Sequence, residues 1–194
     1  MAPGLRVHGG EARGRRLQAP PGIRPSQGLI KEAIFNSLGT LVAAANVLDL
    51  FAGSGALGIE ALSRGAARAT FVEDDERTLK VLRENLVGLG LQGRGQARQG
   101  RLPGWLEGNR ELVKEVTLVL LDPPYNDPAL ARVLWVLDSG LQAPATVVVE
   151  HSHRVPLPQL GRLQEIRSKR YGDTGLTVLE LAPAGPGRAR VVVQ

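Results

Sequence analysis

The stretch Val47-Leu48-Asp49-Leu50-Phe51-Ala52-Gly53-Ser54-Gly55-Ala56-Leu57-Gly58 joins a strand pattern to a helix pattern through a glycine-rich turn. Residues 47–51 form a short, mostly apolar run that predicts a buried strand, and residues 55–64 predict a helix. The glycines between them let the backbone approach a ligand closely, and the start of the helix offers free N–H groups. The stretch therefore predicts a strand–turn–helix unit with a ligand at the turn.

Outward from this unit, the chain continues to alternate strand patterns with helix patterns. Such alternation predicts the α/β class: a Rossmann-like, doubly wound, mostly parallel sheet. The last two strand patterns flank a turn and predict that the sheet ends in an antiparallel β-hairpin. The further predicted elements are strands at 69–73, 116–121 and 145–150, helices at about 75–89 and 128–138, a loop with one short edge strand at 90–101, and hairpin strands at about 162–170 and 175–181.

The first 40 residues are predicted to form a small basic N-terminal extension, ahead of a main domain at 41–183 and a flexible tail at 184–194. A short hairpin is predicted within the extension, followed by a helix from Ser26 to Leu38. Lys31 is expected on the helix face opposite the apolar stripe. Cations outnumber the two acids of this segment, which predicts either a phosphate-binding surface or a solvated face. These cations are Arg6, Arg13, Arg15, Arg16, Arg24 and Lys31.

Composition excludes several kinds of chemistry. The 194 residues include no cysteine, so thiolate catalysis, disulfides and cysteine-bound metals are excluded, and the three histidines are poorly placed for a metal cluster. No apolar run approaches the roughly 20 residues of a membrane span, and no signal peptide is evident, so we expect a cytoplasmic protein without a metal. The net charge of +5 makes nucleic acid a plausible partner.

Asp122-Pro123-Pro124-Tyr125 follows directly after the apolar run 116–121. Two prolines cannot continue a sheet ladder, so the chain is expected to leave the strand in a rigid, extended turn. The turn holds a carboxylate and an aromatic ring near the carboxyl end of a strand, which is the edge where open α/β sheets bind ligands. This pairing suits a planar, amine-bearing substrate such as a nucleobase.

The glycine spacing also fits a dinucleotide-binding fingerprint, so a nicotinamide-dependent dehydrogenase is a serious competitor. Glu73 lies at about the spacing expected for a residue that binds a ribose. Asp49, however, lies within the strand before the loop, where its carboxylate would repel a pyrophosphate. A ligand with an ammonium group and a positive sulfur, such as S-adenosylmethionine, would be attracted by Asp49 instead.

Asp49-Leu-Phe-Ala-Gly-Ser-Gly-Ala-Leu-Gly58 together with Asp122-Pro-Pro-Tyr125 resembles the class I methyltransferases. More narrowly, the chain resembles the bacterial 16S ribosomal RNA guanine-N2 methyltransferases over about residues 6–181. The narrower resemblance adds two N-terminal motifs in family order. These are Arg6-Val-His-Gly-Gly10 with Gly14-Arg-Arg-Leu17, and Arg24-Pro-Ser26 with Lys31-Glu-Ala-Ile-Phe-Asn36.

The resemblance implies a binding site for S-adenosyl-L-methionine and a role for each matching residue. Glu73 would hold the ribose hydroxyls, and backbone atoms near Gly100 would hold the adenine. Asp122 and the Pro123 carbonyl would accept hydrogen bonds from the guanine amine, and Tyr125 would stack on the base. The implied cofactor-binding residues are Asp49, Phe51, Ala52, Gly53, Ser54, Gly55, Glu73, Asp74, Gly100 and Arg101.

The implied partner is ribosomal RNA or the assembling small ribosomal subunit, held by the six cations of the N-terminal extension, and the enzyme is expected to be a monomer. Asp-Pro-Pro-Tyr suits any exocyclic amine, so adenine N6 in DNA or RNA is an alternative target. Two alternatives from other functional classes also stay open at this point. They are a nicotinamide-dependent dehydrogenase and a non-catalytic RNA-binding assembly factor.

Overall fold

The computed structural model describes residues 5–19, 27–142 and 144–181. Within these ranges the chain forms a seven-stranded sheet in the order β3-β2-β1-β4-β5-β7-β6. None of the helices described is both long and apolar enough to cross a membrane. The strands are β1 Asn46–Leu50, β2 Arg68–Glu73, β3 Gly95–Gln99, β4 Leu118–Leu121, β5 Ala145–Ser152, β6 Gln164–Tyr171 and β7 Thr174–Leu181.

Strands β1 to β5 are parallel, and β7 pairs antiparallel with both β5 and β6. The predicted mostly parallel sheet with a terminal hairpin is confirmed. The first five strands follow the 3-2-1-4-5 order of dinucleotide-binding sheets, but the antiparallel hairpin takes the place of a sixth parallel strand. The order reverses between β1 and β4, so a crevice opens at the carboxyl ends of these two strands.

Helices cover both faces of the sheet, which explains why the central strands are mostly apolar. Ile34, Ile59 and Leu82 pack in the core on one face, with helices α1 to α3. Leu106 and Leu134 belong to the core on the other face, with helices α4 to α6. The helices are α1 Gln27–Leu38, α2 Ala56–Ser63, α3 Glu76–Gly88, α4 Gly104–Gly108, α5 Arg110–Lys114 and α6 Ala129–Gly140.

The segment between β3 and β4 differs most from the sequence-based expectation. It contains the two five-residue helices α4 and α5, for which the sequence analysis predicted no element. Helices this short cover barely more than one turn, so they leave no 3.6-residue periodicity to detect. The predicted edge strand is present as β3.

The N-terminal residues form a hairpin that is closed by an antiparallel bridge between Arg6 and Arg16. Three of its apolar side chains, Val7, Ala12 and Leu17, are buried in the same core as helices α1 to α3. The hairpin is therefore packed onto the main domain rather than projecting from it. The predicted cap Ser26, the cation Arg24 and the predicted tail 184–194 lie outside the described residues.

Candidate active site

A cavity with a volume of about 1180 Å³ opens at the crevice between β1 and β4. It brings together residues from five separate strand ends and loops. Gly55 does not appear in its lining but caps the helix that follows. The predicted site residues that line the cavity are Asp49, Phe51, Ala52, Gly53, Ser54, Glu73, Asp74, Gly100, Arg101, Asp122, Pro123 and Tyr125.

The turn between β1 and α2 (residues 51–55, here the glycine loop) takes left-handed backbone conformations at three positions. Gly53 and Gly55 have φ angles of 55° and 81°, which glycine adopts without a steric penalty. Phe51 has a φ of 57°, which is uncommon for a bulky residue. Backbone conformations of this kind cluster at ligand sites, where the surrounding structure imposes them.

Asp49 anchors the glycine loop from below. Its side chain is buried, and one carboxylate oxygen accepts a hydrogen bond of 2.8 Å from the Gly58 backbone N–H. Burial raises the pKa of Asp49 well above its ordinary value, the Gly58 hydrogen bond opposes this rise, and the Asp122 and Glu73 charges add to it. A positive ligand group in the cavity would relieve this electrostatic cost.

Gly58 is needed for close packing as well as for its N–H. A Cβ atom at Gly58 would lie 2.3 Å from Phe71 Cε1 and 2.9 Å from the Asp49 carboxylate. The third glycine of the fingerprint therefore lets α2 lie directly against the sheet. This role is structural, so it does not distinguish a dinucleotide from another ligand.

Glu73 joins the glycine loop to the turn that follows β2. One carboxylate oxygen accepts a 2.8 Å hydrogen bond from the Gly53 N–H, and the other accepts bonds from the backbone N–H groups of Asp74 and Asp75 at 3.1 and 3.0 Å. The oxygen that accepts from Gly53 retains a lone pair for a further donor. Glu73 is thus placed both to shape the glycine loop and to meet a ligand hydroxyl.

The Asp122-Pro-Pro-Tyr125 segment follows β4 and lines the opposite wall of the cavity. Tyr125 is 39% exposed, and its hydroxyl is hydrogen-bonded to the Thr174 hydroxyl at the start of β7. Its ring is therefore tethered at one end while much of its surface faces solvent. An accessible ring at the mouth of a cavity is able to stack on a planar ligand.

Glu150 is a cavity residue that the sequence analysis missed. It lies in β5 next to the site of Asp122, because Leu121 pairs with Val149 one step earlier in the two parallel strands. Burial and the nearby Asp122 charge raise the pKa of Glu150 to about 8. The available signal was an acid that ends the apolar run 145–149, the same pattern that identified Asp122.

Five of the six cations predicted to bind RNA phosphates can be compared with the structure, since Arg24 lies outside the described residues. Arg6, Arg13, Arg15 and Arg16 are exposed on the hairpin. Arg6 and Arg15 each donate a hydrogen bond to a backbone carbonyl, of Gly14 and Gly88 respectively. Exposed arginines in this position stay available for a phosphate, so their role in RNA binding stays a prediction.

Lys31 was predicted to lie on an exposed helix face, where it could bind an RNA phosphate, and this prediction is wrong. Its side chain is only 3% exposed, it lies 3.2 Å from a Glu60 carboxylate oxygen, and it donates a hydrogen bond to the Arg6 carbonyl. The hairpin covers the helix face that was expected to meet solvent. Burial lowers the pKa of Lys31, against the opposing effect of Glu60. Lys31 therefore holds the N-terminal hairpin to the domain and does not reach RNA.

Glu60 on α2 is the centre of this buried cluster. Its carboxylate accepts hydrogen bonds from the backbone N–H groups of His8 and Gly9 and from Arg64 Nε, at 2.8, 2.7 and 2.8 Å. Burial raises the pKa of Glu60, but the hydrogen bonds from His8 and Arg64 and the Lys31 charge outweigh it, so the net shift is downward. Among the described residues, no group of three or more His, Asp or Glu side chains is arranged to hold a metal ion.

Comparison with known proteins identifies relatives that match most of the chain. The family model described as Conserved hypothetical protein 95 matches residues 5–180. The Bacillus subtilis protein named "Putative rRNA methyltransferase YlbH" is 36% identical, and the match covers 90% of this chain and 97% of that protein. The Escherichia coli K12 protein named "Ribosomal RNA small subunit methyltransferase D" is 37% identical over 79% of this chain and 78% of its own length.

Solved structures share the fold. The Thermus thermophilus hypothetical protein TTHA0928 superposes with a TM-score of 0.77 and 32% identity, covering 91% of this chain and 99% of that one. A Salinibacter ruber RNA methyltransferase, solved with S-adenosyl-L-homocysteine, has a TM-score of 0.64 at 21% identity, covering 85% of this chain and 98% of that one. The chain thus has the Rossmann-like methyltransferase fold.

Proposed function

The chain belongs to the family described as Conserved hypothetical protein 95, and from this membership we propose that it transfers a methyl group from S-adenosyl-L-methionine to the exocyclic N2 of a guanine in small-subunit ribosomal RNA. The names of the relatives support ribosomal RNA methylation as the general activity. The choice of guanine N2 rests on the sequence motifs that resemble the guanine-N2 methyltransferases.

The observation that carries the proposal is the placement of Asp49 and Asp122 at the ends of neighbouring strands around one cavity. The cofactor brings an ammonium group and a sulfonium, and the acidic lining favours both. Asp49 and the glycine loop would hold the ammonium end of the cofactor, Glu73 would hold the ribose, and Gly100 and Arg101 would hold the adenine. A dinucleotide pyrophosphate would meet the same acids at an electrostatic cost.

Asp122 and the Pro123 carbonyl orient the target amine. The guanine N2 lone pair is delocalised into the ring, so the free amine is a weak nucleophile. Hydrogen bonds from its two N–H groups to these acceptors favour a pyramidal nitrogen and stabilise the positive charge that develops on it. S-adenosylmethionine bound here would supply the methyl group from its sulfonium, and the proton that the amine gives up on methylation would leave to a carboxylate or to water.

Glu150 supports this role for Asp122. Burial and the nearby Asp122 charge raise the pKa of Glu150 to about 8, so Glu150 holds a proton at neutral pH. Asp122 is then the carboxylate that accepts from the amine. Tyr125 stacks on the base that enters the cavity, each stack of this kind contributing about 1–3 kcal/mol.

The test is the Asp122→Asn variant, assayed with labelled cofactor on small ribosomal subunits that lack methylation. We expect methyl transfer to fall by about 100-fold or more, because a charged acceptor aimed at the reacting amine is lost. Cofactor binding, measured by calorimetry, should stay within a few-fold of wild type. Glu111→Gln removes one exposed carboxylate on α5 and is the matched control.

The modified nucleoside decides between the possible targets. Digestion of the labelled RNA should release N2-methylguanosine, whereas N6-methyladenosine would transfer the proposal to the adenine alternative. Wild-type turnover in Asp122→Asn would contradict the role given to Asp122. RNA binding by a wild-type protein that transfers no methyl group would favour the non-catalytic assembly factor.

A further inference from the structure

Strand β6 carries a basic surface at the edge of the sheet, far along the chain from the N-terminal cations. Every residue of the strand is exposed, and β6 is the terminal strand of the sheet in the described structure. Its cations Arg167, Lys169 and Arg170 outnumber its one acid, Glu165. Cations on an edge strand discourage pairing with another sheet, and they also suit an anionic partner.

Alternation along the strand places Arg167, Lys169 and Tyr171 on one face. Arg167 and Lys169 pair across the ladder with Val178 and Leu176, which belong to the core beneath α1. The three side chains therefore stand on the same side of the sheet as α1. Arg167 donates a 2.7 Å hydrogen bond to the Ser37 hydroxyl at the end of that helix.

A groove of about 280 Å³ lies between this strand face and α1, and we call it the β6 groove. Its walls combine two cations, an aromatic ring, an amide and a hydroxyl over a small apolar floor. These groups match a phosphate, a ribose and the face of a base. The residues that carry them are Arg167, Lys169, Tyr171, Asn36 and Ser37.

The β6 groove begins beside the candidate active site. Tyr171 pairs with Thr174 across the β6–β7 turn, and the Thr174 hydroxyl is hydrogen-bonded to Tyr125. The two tyrosines are thus linked through a single residue. A polynucleotide whose target base stacks on Tyr125 has its neighbouring nucleotides within reach of Tyr171 and, one strand step at a time, of Lys169 and Arg167.

We propose that the β6 groove binds the backbone of the substrate RNA next to the target nucleotide, with Arg167 and Lys169 on phosphates and Tyr171 against a base. This inference rests on the proposed function, since it takes RNA as the substrate. It adds a second contact surface, on the hairpin that follows the catalytic segment, to the N-terminal arginines. The RNA is then held on a surface contiguous with the cavity.

The test compares the double variant Arg167→Gln/Lys169→Gln with wild type, using unmodified small-subunit ribosomal RNA as the probe. The logarithm of the affinity falls linearly with the logarithm of the salt concentration, and each lost phosphate contact makes this slope shallower by about 0.7 to 0.9. Two lost contacts therefore predict a slope that is shallower by roughly 1.4 to 1.8. KM for RNA should rise at least tenfold, while kcat at saturating RNA and the affinity for S-adenosylmethionine stay within twofold of wild type.

Two further variants separate RNA binding from loss of charge or of packing. Arg110→Gln/Lys114→Gln removes the same charge from exposed positions on α5, on the opposite face of the sheet, and should leave the salt slope unchanged. Arg167→Lys/Lys169→Arg keeps both charges and should retain most of the affinity. A wild-type salt slope in the Gln variant, or an equal decrease in the α5 control, would overturn the proposal.

The outcomes also separate this inference from the proposed function. If wild type transfers no methyl group to the RNA or the subunits, the proposed function fails whatever the groove does. If wild type is active and the Gln variant matches it, only the groove assignment fails. If the Gln variant binds naked RNA normally but loses activity on ribosomal subunits, the groove contacts a protein of the subunit. This outcome would overturn the assignment of the groove to RNA.

Discussion

At the scale of single residues, the carboxylates around the cavity show how position sets charge. Asp49 and Glu150 are both buried near Asp122, and burial raises the pKa of each above its ordinary value. Glu73, in contrast, accepts three backbone hydrogen bonds at the edge of the same cavity. The surroundings of each carboxyl group therefore decide whether burial favours its protonated form or whether it accepts hydrogen bonds from a neighbouring loop.

The raised pKa of Glu150 predicts a pH-dependent stability. Its folded-state pKa of about 8 lies above the ordinary 4.5, so folding favours the protonated form. This contribution to the free energy of unfolding is fully present below about pH 4.5 and is lost as the pH rises through 8. We expect Glu150→Gln, which cannot titrate, to lose less stability than wild type between pH 5 and pH 9, by an amount on the order of a few kcal/mol.

Urea unfolding of wild type and Glu150→Gln at pH 5, 7 and 9 measures this difference. Glu111→Gln is the control, because the Glu111 side chain is 86% exposed on α5. Its pH dependence should match that of wild type. Equal pH slopes for wild type and Glu150→Gln would show that the Glu150 carboxyl does not hold a proton in the folded protein.

At the scale of elements, helix α2 connects two parts of the molecule that are distant in sequence. Its first residues follow the glycine loop, and Glu60 in its second turn binds the backbone of the N-terminal hairpin. Gly10 adds a steric reason for the fit, because a Cβ atom there would lie 1.7 Å from the Ser63 carbonyl oxygen. The hairpin that carries the arginines is thus fixed relative to the glycine loop.

Breaking the Glu60 cluster should therefore be costly. Glu60→Ala leaves Lys31 as a buried charge without its carboxylate and also removes the acceptor for two hairpin N–H groups. We expect a loss of about 3–5 kcal/mol in the free energy of unfolding, measured in urea. Glu11→Ala breaks an exposed ion pair between the same hairpin and Arg94, and should cost less than about 1 kcal/mol. Similar losses in the two variants would refute a special role for Glu60.

At the scale of the whole molecule, the reversal of strand order between β1 and β4 creates the cavity, and the two parts of the sheet supply different walls. Strands β1 to β3 end in the residues proposed to hold the cofactor, and β4 and β5 end in Asp122 and Glu150. The antiparallel hairpin β6–β7 then braces the Asp122–Tyr125 segment through the hydrogen bond between Thr174 and Tyr125. The walls proposed to bind the methyl donor and the target amine therefore meet only when the sheet is complete.

A ligand that binds across this crevice should stabilise the whole domain. A ligand present at 100 times its Kd and bound only to the folded state adds about 2.7 kcal/mol to the free energy of unfolding. We expect S-adenosylmethionine to produce this shift and NADH at the same concentration to produce none, as measured by urea unfolding. Stabilisation by NADH alone would restore the dehydrogenase alternative.

The amino-acid sequence by itself determined the strand–turn–helix unit at residues 47–58, the mostly parallel sheet and the strands near whose ends Asp49, Glu73 and Asp122 lie. These features follow from local periodicity, from the conformational freedom of glycine and from the restriction that two prolines impose. All of them act between residues close together in the chain. The cavity residues predicted on this basis are accordingly found at one edge of the sheet.

Only the tertiary structure decided that Lys31 is buried, that Glu150 lies close to Asp122 and that the β6 groove exists. The helical pattern around Lys31 predicted an exposed face, and a hairpin 25 residues earlier in the chain covers it. The groove depends on Arg167 meeting Ser37 across 130 residues. Burial and charge pairing are set by such distant contacts, and no local pattern encodes them because the packing partner lies elsewhere in the chain.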